Sequence, residues 1–113
     1  MNTTKSKAER IAELNDLART AMGVAGRVVQ TEGIAALPWE AQSSIREQVE
    51  KFNTFTKDND PHGERDFGAF EHDGERIFWK IDYYDKALEY GSEDPSDPSQ
   101  TTRVLTIMLA REY

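Results

Sequence analysis

The chain has 113 residues, enough for one compact domain with a single core and too few for two. It contains no cysteine, which excludes disulfides, thiolate nucleophiles and cysteine-ligated zinc or iron–sulfur clusters. The net charge of −7 is unevenly laid out: residues 1–57 carry eight Lys/Arg against seven Asp/Glu, whereas 58–113 carry six against fourteen, a field that opposes docking on duplex nucleic acid and suits a basic protein surface.

In chain order, the polar start "MNTTKSKAER" has no apolar leader, and no apolar run approaches a membrane span, so the expected location is cytoplasmic. From Ser6 to about Met22, Ile11, Leu14, Leu17, Ala18 and Ala21 recur at spacings of three and four, which predicts an amphipathic helix. Ser6 with Glu9 three residues on forms a capping-box pattern, and Gly23 and Gly26 supply the stop. "RVVQT" at 27–31 is short, β-branched and bounded by glycines, and reads as a strand. Pro38 suits a first helical position, and Ile45, Val49 and Phe52 behind it mark one stripe of a second helix over about 38–54.

"FGAFEH" and "ERIFWKIDYY" flank Asp73-Gly74, the dipeptide best suited to a two-residue type I′ turn. That turn sets Phe70 opposite Ile77, Gly68 opposite Trp79, Glu71 opposite Arg76 and Phe67 opposite Lys80. The expected core face is Phe70, Ile77, Trp79, Ile81 and Tyr83, with Trp79 covering the bare backbone of Gly68. "ALEYGSEDPSDPSQTT" reads as an exposed loop, and "TTRVLTIMLA" at 101–110, rich in β-branched residues, as a last strand. The expected fold is a single α+β domain over 1–113, in the order α-β-α-β-β-β, with two helices on one face of a mostly antiparallel four-stranded sheet.

Two stretches concentrate chemistry. "DNDPHGERD" at 58–66 matches a calcium loop at Asp58, Asp60, Gly63 and Asp66, but its fifth position is His62 and its twelfth Ala69, so the completing bidentate glutamate is missing. Asp and Asn beside Pro61 and Gly63 fit an ordered turn better. A catalytic pairing of His62 with Glu64 or Asp66 lacks a nucleophile, and the two histidines fall short of a zinc ligand set without carboxylates. In "WKIDYYD", Lys80, Asp82 and Tyr84 face away from the core residues, with Asp85 at the end, and a tyrosine among carboxylates suits protein recognition. Glu89, Glu93, Asp94 and Asp97 follow, so residues 58–97 hold thirteen acids against four bases. Such a field steers toward basic clefts, including nucleic-acid channels, and can act as a mimic of a DNA phosphate ladder.

"NDPHGERDFGAFEHDGERIFWKIDYYD", "YGSEDPSDP" and "RVLTIMLAREY", together with "GRVVQTEGIAALP", resemble a family of small bacterial proteins of unknown function frequently carried on plasmids and other mobile elements. The resemblance implies a setting in which small acidic inhibitors of host defence, of antirestriction or anti-CRISPR type, are common. The leading expectation is therefore a non-enzymatic protein, without a cofactor or metal, that sets Asp58, Asp60, Glu64, Asp66, Asp82, Tyr84, Asp85, Glu93, Asp94 and Asp97 against the basic groove of a nuclease or CRISPR surveillance complex, with no direct binding of duplex nucleic acid or membrane. The alternatives are a metal-dependent or acid–base enzyme centred on His62, and a homodimeric accessory protein joined through an exposed sheet edge.

Overall fold

A computed structural model describes residues 5–113. Its elements are α1 (Lys7–Thr20), β1 (Arg27–Gln30), α2 (Glu32–Ala35), α3 (Trp39–Lys51), β2 (Phe67–His72), β3 (Glu75–Tyr84), β4 (Thr102–Leu109) and a closing 3-10 turn (Ala110–Glu112). The chain is α+β, with one more helix than the sequence suggests. The single-turn α2 follows β1 directly and is too short to leave a periodic signature.

α1 begins at a complete capping box, in which the Ser6 hydroxyl accepts from the Glu9 N–H at 3.1 Å and the Glu9 carboxylate accepts from the Ser6 N–H at 2.8 Å. Its buried stripe differs from the expected one. Ile11, Ala12, Asn15, Ala18 and Arg19 face inward, whereas Leu17 is 50% exposed. Two polar residues have taken core positions, and their partners are described below.

The sheet runs β1-β4-β3-β2, with β4 and β3 at the centre. β2–β3 and β3–β4 are antiparallel, whereas β1 pairs with β4 in parallel, so the sheet is mixed. The hairpin register is the one that Asp73-Gly74 dictates, with Phe70 opposite Ile77 and Gly68 opposite Trp79. Both turn residues have positive φ, 50° and 79°, as a type I′ turn requires.

One core cluster joins Ala18 of α1, Ile34 of α2 and Ile45 and Val49 of α3 to Ile77, Trp79 and Ile81 of β3 and Leu105, Ile107 and Leu109 of β4. Trp79 is its largest buried side chain; Phe52 and Phe55 meet its ring edge-on at 5.6 and 6.2 Å. Because all three helices feed this one cluster, the other face of the sheet is left without a helical layer. Strand alternation puts Arg76, Phe78, Lys80, Asp82 and Tyr84 of β3 on that face, with Val104 and Thr106 of β4 and Val29 of β1 in register beside them. Tyr113 folds over one corner, with its ring 5.6 Å from that of Phe78.

Candidate functional site

The register gathers four chain segments at one end of the sheet. β2 enters at Phe67 opposite Lys80, β3 leaves at Tyr84 opposite Thr102, and β1 enters at Arg27 opposite Val104. The loop before β2 and the loop between β3 and β4 therefore lie side by side. Together, residues 58–66 and 85–101 hold nine acids against two bases, a net of −7 that equals the total for the chain, so the remainder is neutral.

Both loops are ordered by carboxylates that accept from their own backbone. Asp60 takes the N–H groups of Glu64 and Arg65, each at 3.1 Å, and so shapes the turn in which Gly63 and Arg65 adopt positive φ. In the second loop Asp94 accepts from the backbone and hydroxyl of Ser96, and Asp97 from those of Ser99 and from the Gln100 amide. The Ser96 and Ser99 bonds hold Asp94 and Asp97 below the usual carboxylate range, so both stay ionised. Asp85 accepts from the Glu89 N–H in the same manner.

A buried polar network ties the two loops to each other and to α1. Asn15, fully buried, donates through Nδ2 to the Glu64 carbonyl at 2.9 Å and to the Tyr83 hydroxyl at 2.8 Å, and its Oδ1 accepts from Arg103 Nε at 2.7 Å. The Tyr83 hydroxyl donates onward to the Glu64 carboxylate at 2.8 Å, and Arg103 Nη2 reaches the Pro95 carbonyl in the other loop. The Arg103 guanidinium lies over the Tyr83 ring, 5.1 Å from its centre. Burial pushes the Tyr83 phenol well up and lowers Arg103 without neutralising it. Deeper in, Arg19 donates to the Val49 and Phe52 carbonyls and to Asp16, which also pairs with Arg65.

The candidate residues fall into three groups. Asp58 and Glu93 are exposed, with Asp60, Asp85, Asp94 and Asp97 bracing their loops beside them. Glu64 and Asp66 lie inward: Glu64 is joined to Tyr83, and burial raises the Asp66 carboxyl above its usual range. Asp82 and Tyr84 belong to the open sheet face, where Asp82 pairs with Lys80 at 2.6 Å. A cleft of about 710 Å³ beside Trp39, Gln42 and Arg46 lies away from all of them.

His62 is exposed in its turn, while His72 meets Gln48 at 3.1 Å. Among the described residues, no three His, Asp or Glu side chains are grouped to hold a metal ion. Sequence reasoning missed Asn15, Arg19 and Arg103. The signal was present, since Asn15 and Arg19 stand four and eight residues after Ile11, and Arg103 alternates in phase with Leu105, Ile107 and Leu109.

No helix among the described residues is long and apolar enough to cross a membrane. Residues 30–112 match the family described as "Protein of unknown function (DUF3768)". No curated protein and no solved structure matches the chain.

Proposed function

We propose that this chain, which belongs to the DUF3768 family of unknown function, is a non-enzymatic binding protein whose acidic sheet end occupies a basic, nucleic-acid-binding groove of a protein partner. One observation carries the reading: the topology brings two loops with a combined charge of −7 to the same end of the sheet, on a frame that fixes four of their carboxylates, those of Asp60, Asp85, Asp94 and Asp97. Backbone and hydroxyl donors keep Asp94 and Asp97 ionised, and the Asn15–Tyr83–Arg103 network locks one loop against the other. A preordered anionic surface of this kind binds with little ordering cost and competes with a phosphate backbone for the same cationic groove. The resemblance to plasmid- and mobile-element-borne proteins selects the partner class, a cytoplasmic nuclease or CRISPR surveillance complex of host defence, and the outcome of binding is inhibition.

The test is to titrate the chain into DNA-cleavage reactions of purified restriction nucleases and CRISPR effector complexes at two salt concentrations. Inhibition by the wild type that weakens with salt, and weakens further in a variant carrying Asp58→Asn, Glu89→Gln and Glu93→Gln, is the expected result. Those three carboxylates brace no loop backbone, so their neutralisation removes charge and leaves the frame intact. Inhibition indifferent to both salt and the variant sinks the electrostatic reading, and no inhibition of any of these enzymes sinks the partner class.

A further inference from the structure

We infer that the helix-free face of the sheet is the contact surface for a second copy of this chain, in a two-fold, face-to-face sandwich centred on Lys80 and Asp82. This does not rest on the function proposed above, which uses the loops at the sheet's acidic end. Three observations select a second copy over other occupants.

The first is charge. In a chain of net −7, the open-face side chains of the four strands hold Arg27, Arg76 and Lys80 against Glu71 and Asp82. This face is slightly positive where the adjoining loops hold −7, so two copies can approach through it without the repulsion that opposes contact through the loops.

The second is self-complementarity. Lys80 and Asp82 stand two residues apart on a central strand and already pair at 2.6 Å, which raises the Lys80 ammonium through its bond to Asp82. A two-fold axis beside Ile81 sets Lys80 of each copy over Asp82 of the other and Phe78 over Tyr84, giving four alternating charges flanked by aromatic pairs. The same rotation runs the two β3 strands in opposite directions and points the acidic ends apart.

The third is area and composition. Four strands about 4.8 Å apart and about seven residues long, at about 3.4 Å per residue, span roughly 450 Å² in plan per copy, part of it already covered by Tyr113 at the corner of Phe67, Phe78 and the buried Met108. Two such faces approach the total of about 1,000 Å² that a specific interface requires, before side-chain relief is counted. Val29, 45% exposed, Phe67, Phe78 and Val104 give the patch an apolar body, which a sheet facing water on one side normally replaces with polar residues.

Sedimentation equilibrium of the full chain, from about 1 μM to about 1 mM, reads the association directly. The expected species at the upper end has twice the 12.9 kDa chain mass. Val29→Glu, on the edge strand and outside the core cluster, raises the dissociation constant by about tenfold or more. Lys80→Glu alone and Asp82→Lys alone each abolish the dimer, and an equimolar mixture of the two variants restores it, because each then meets the opposite charge. Circular dichroism on every variant separates lost association from lost folding. A wild-type chain that stays monomeric throughout the range overturns the inference, as does a dimer that all three folded variants retain.

Discussion

At the residue scale, Asn15 is the joint through which the polar network closes. Its amide supplies two donors and one acceptor to three partners from three segments, and Asn15 and Arg103 are themselves buried. Asn15→Leu leaves Arg103 Nε and the Glu64 carbonyl without partners in a buried setting, which costs about 3 kcal/mol. Tyr83→Phe keeps the ring beneath Arg103 and removes only the hydroxyl between Asn15 and Glu64, which costs about 1 kcal/mol. Chemical denaturation of the two single variants and the double variant checks both values. The double variant should lose less than the sum, because the two changes share a bond. Strict additivity would mean that the hydroxyl and the amide act independently.

At the element scale, the β2–β3 hairpin depends on how closely Gly68 meets Trp79. A methyl group at Gly68 would lie 2.3 Å from Trp79 Nε1 and 2.6 Å from Cε2, and the indole is fully buried between Phe52 and Phe55, with no room to retreat. Gly68→Ala therefore destabilises by about 3 kcal/mol through overpacking. Gly74→Ala, which meets nothing within 4 Å but sits at φ 79°, loses only about 1 kcal/mol through backbone strain. Thermal melts of the two variants rank them, and the reverse order would show that the turn, and not the packing, sets hairpin stability. This element was the most legible in the sequence, since Asp73-Gly74 specifies its register and alternation then assigns each face. The parallel pairing of β1 with β4 was not legible, because four residues of "RVVQ" fit either direction and only the assembled sheet chooses. The buried stripe of α1 was misplaced for a related reason: Asn15 and Arg19 look like solvent-facing residues until the carbonyls, hydroxyl and guanidinium that satisfy them, 30 to 88 positions away, are in place.

At the scale of the whole molecule, the carboxylates are divided by sign, and the division dictates how stability follows pH. Glu9, Asp94, Asp97 and Glu112 are held below their ordinary range, by the Ser6 backbone N–H, by Ser96, by Ser99 and by the Thr31 hydroxyl respectively. Each contributes stability that is present above its unfolded pKa of about 4 and is lost as pH falls through its lower folded value. Asp66 has the opposite sign: burial raises its carboxyl, so its contribution is full below the unfolded pKa and is lost as pH rises through the folded one. Lowering the pH from neutrality thus first relieves Asp66 and only later, below about pH 4, releases the four carboxylates held low. The free energy of unfolding, measured by urea titration between about pH 3 and pH 8, should therefore pass through a maximum on the acidic side of neutrality. Asp66→Asn removes the rise on acidification by keeping that position neutral throughout, while the fall at lower pH remains. If the variant instead rises on acidification as the wild type does, the rise comes from relief of repulsion across the whole acidic end. In that case salt should flatten the profile in both proteins, because the separated charges of the two loops are more open to screening than the half-buried Asp66.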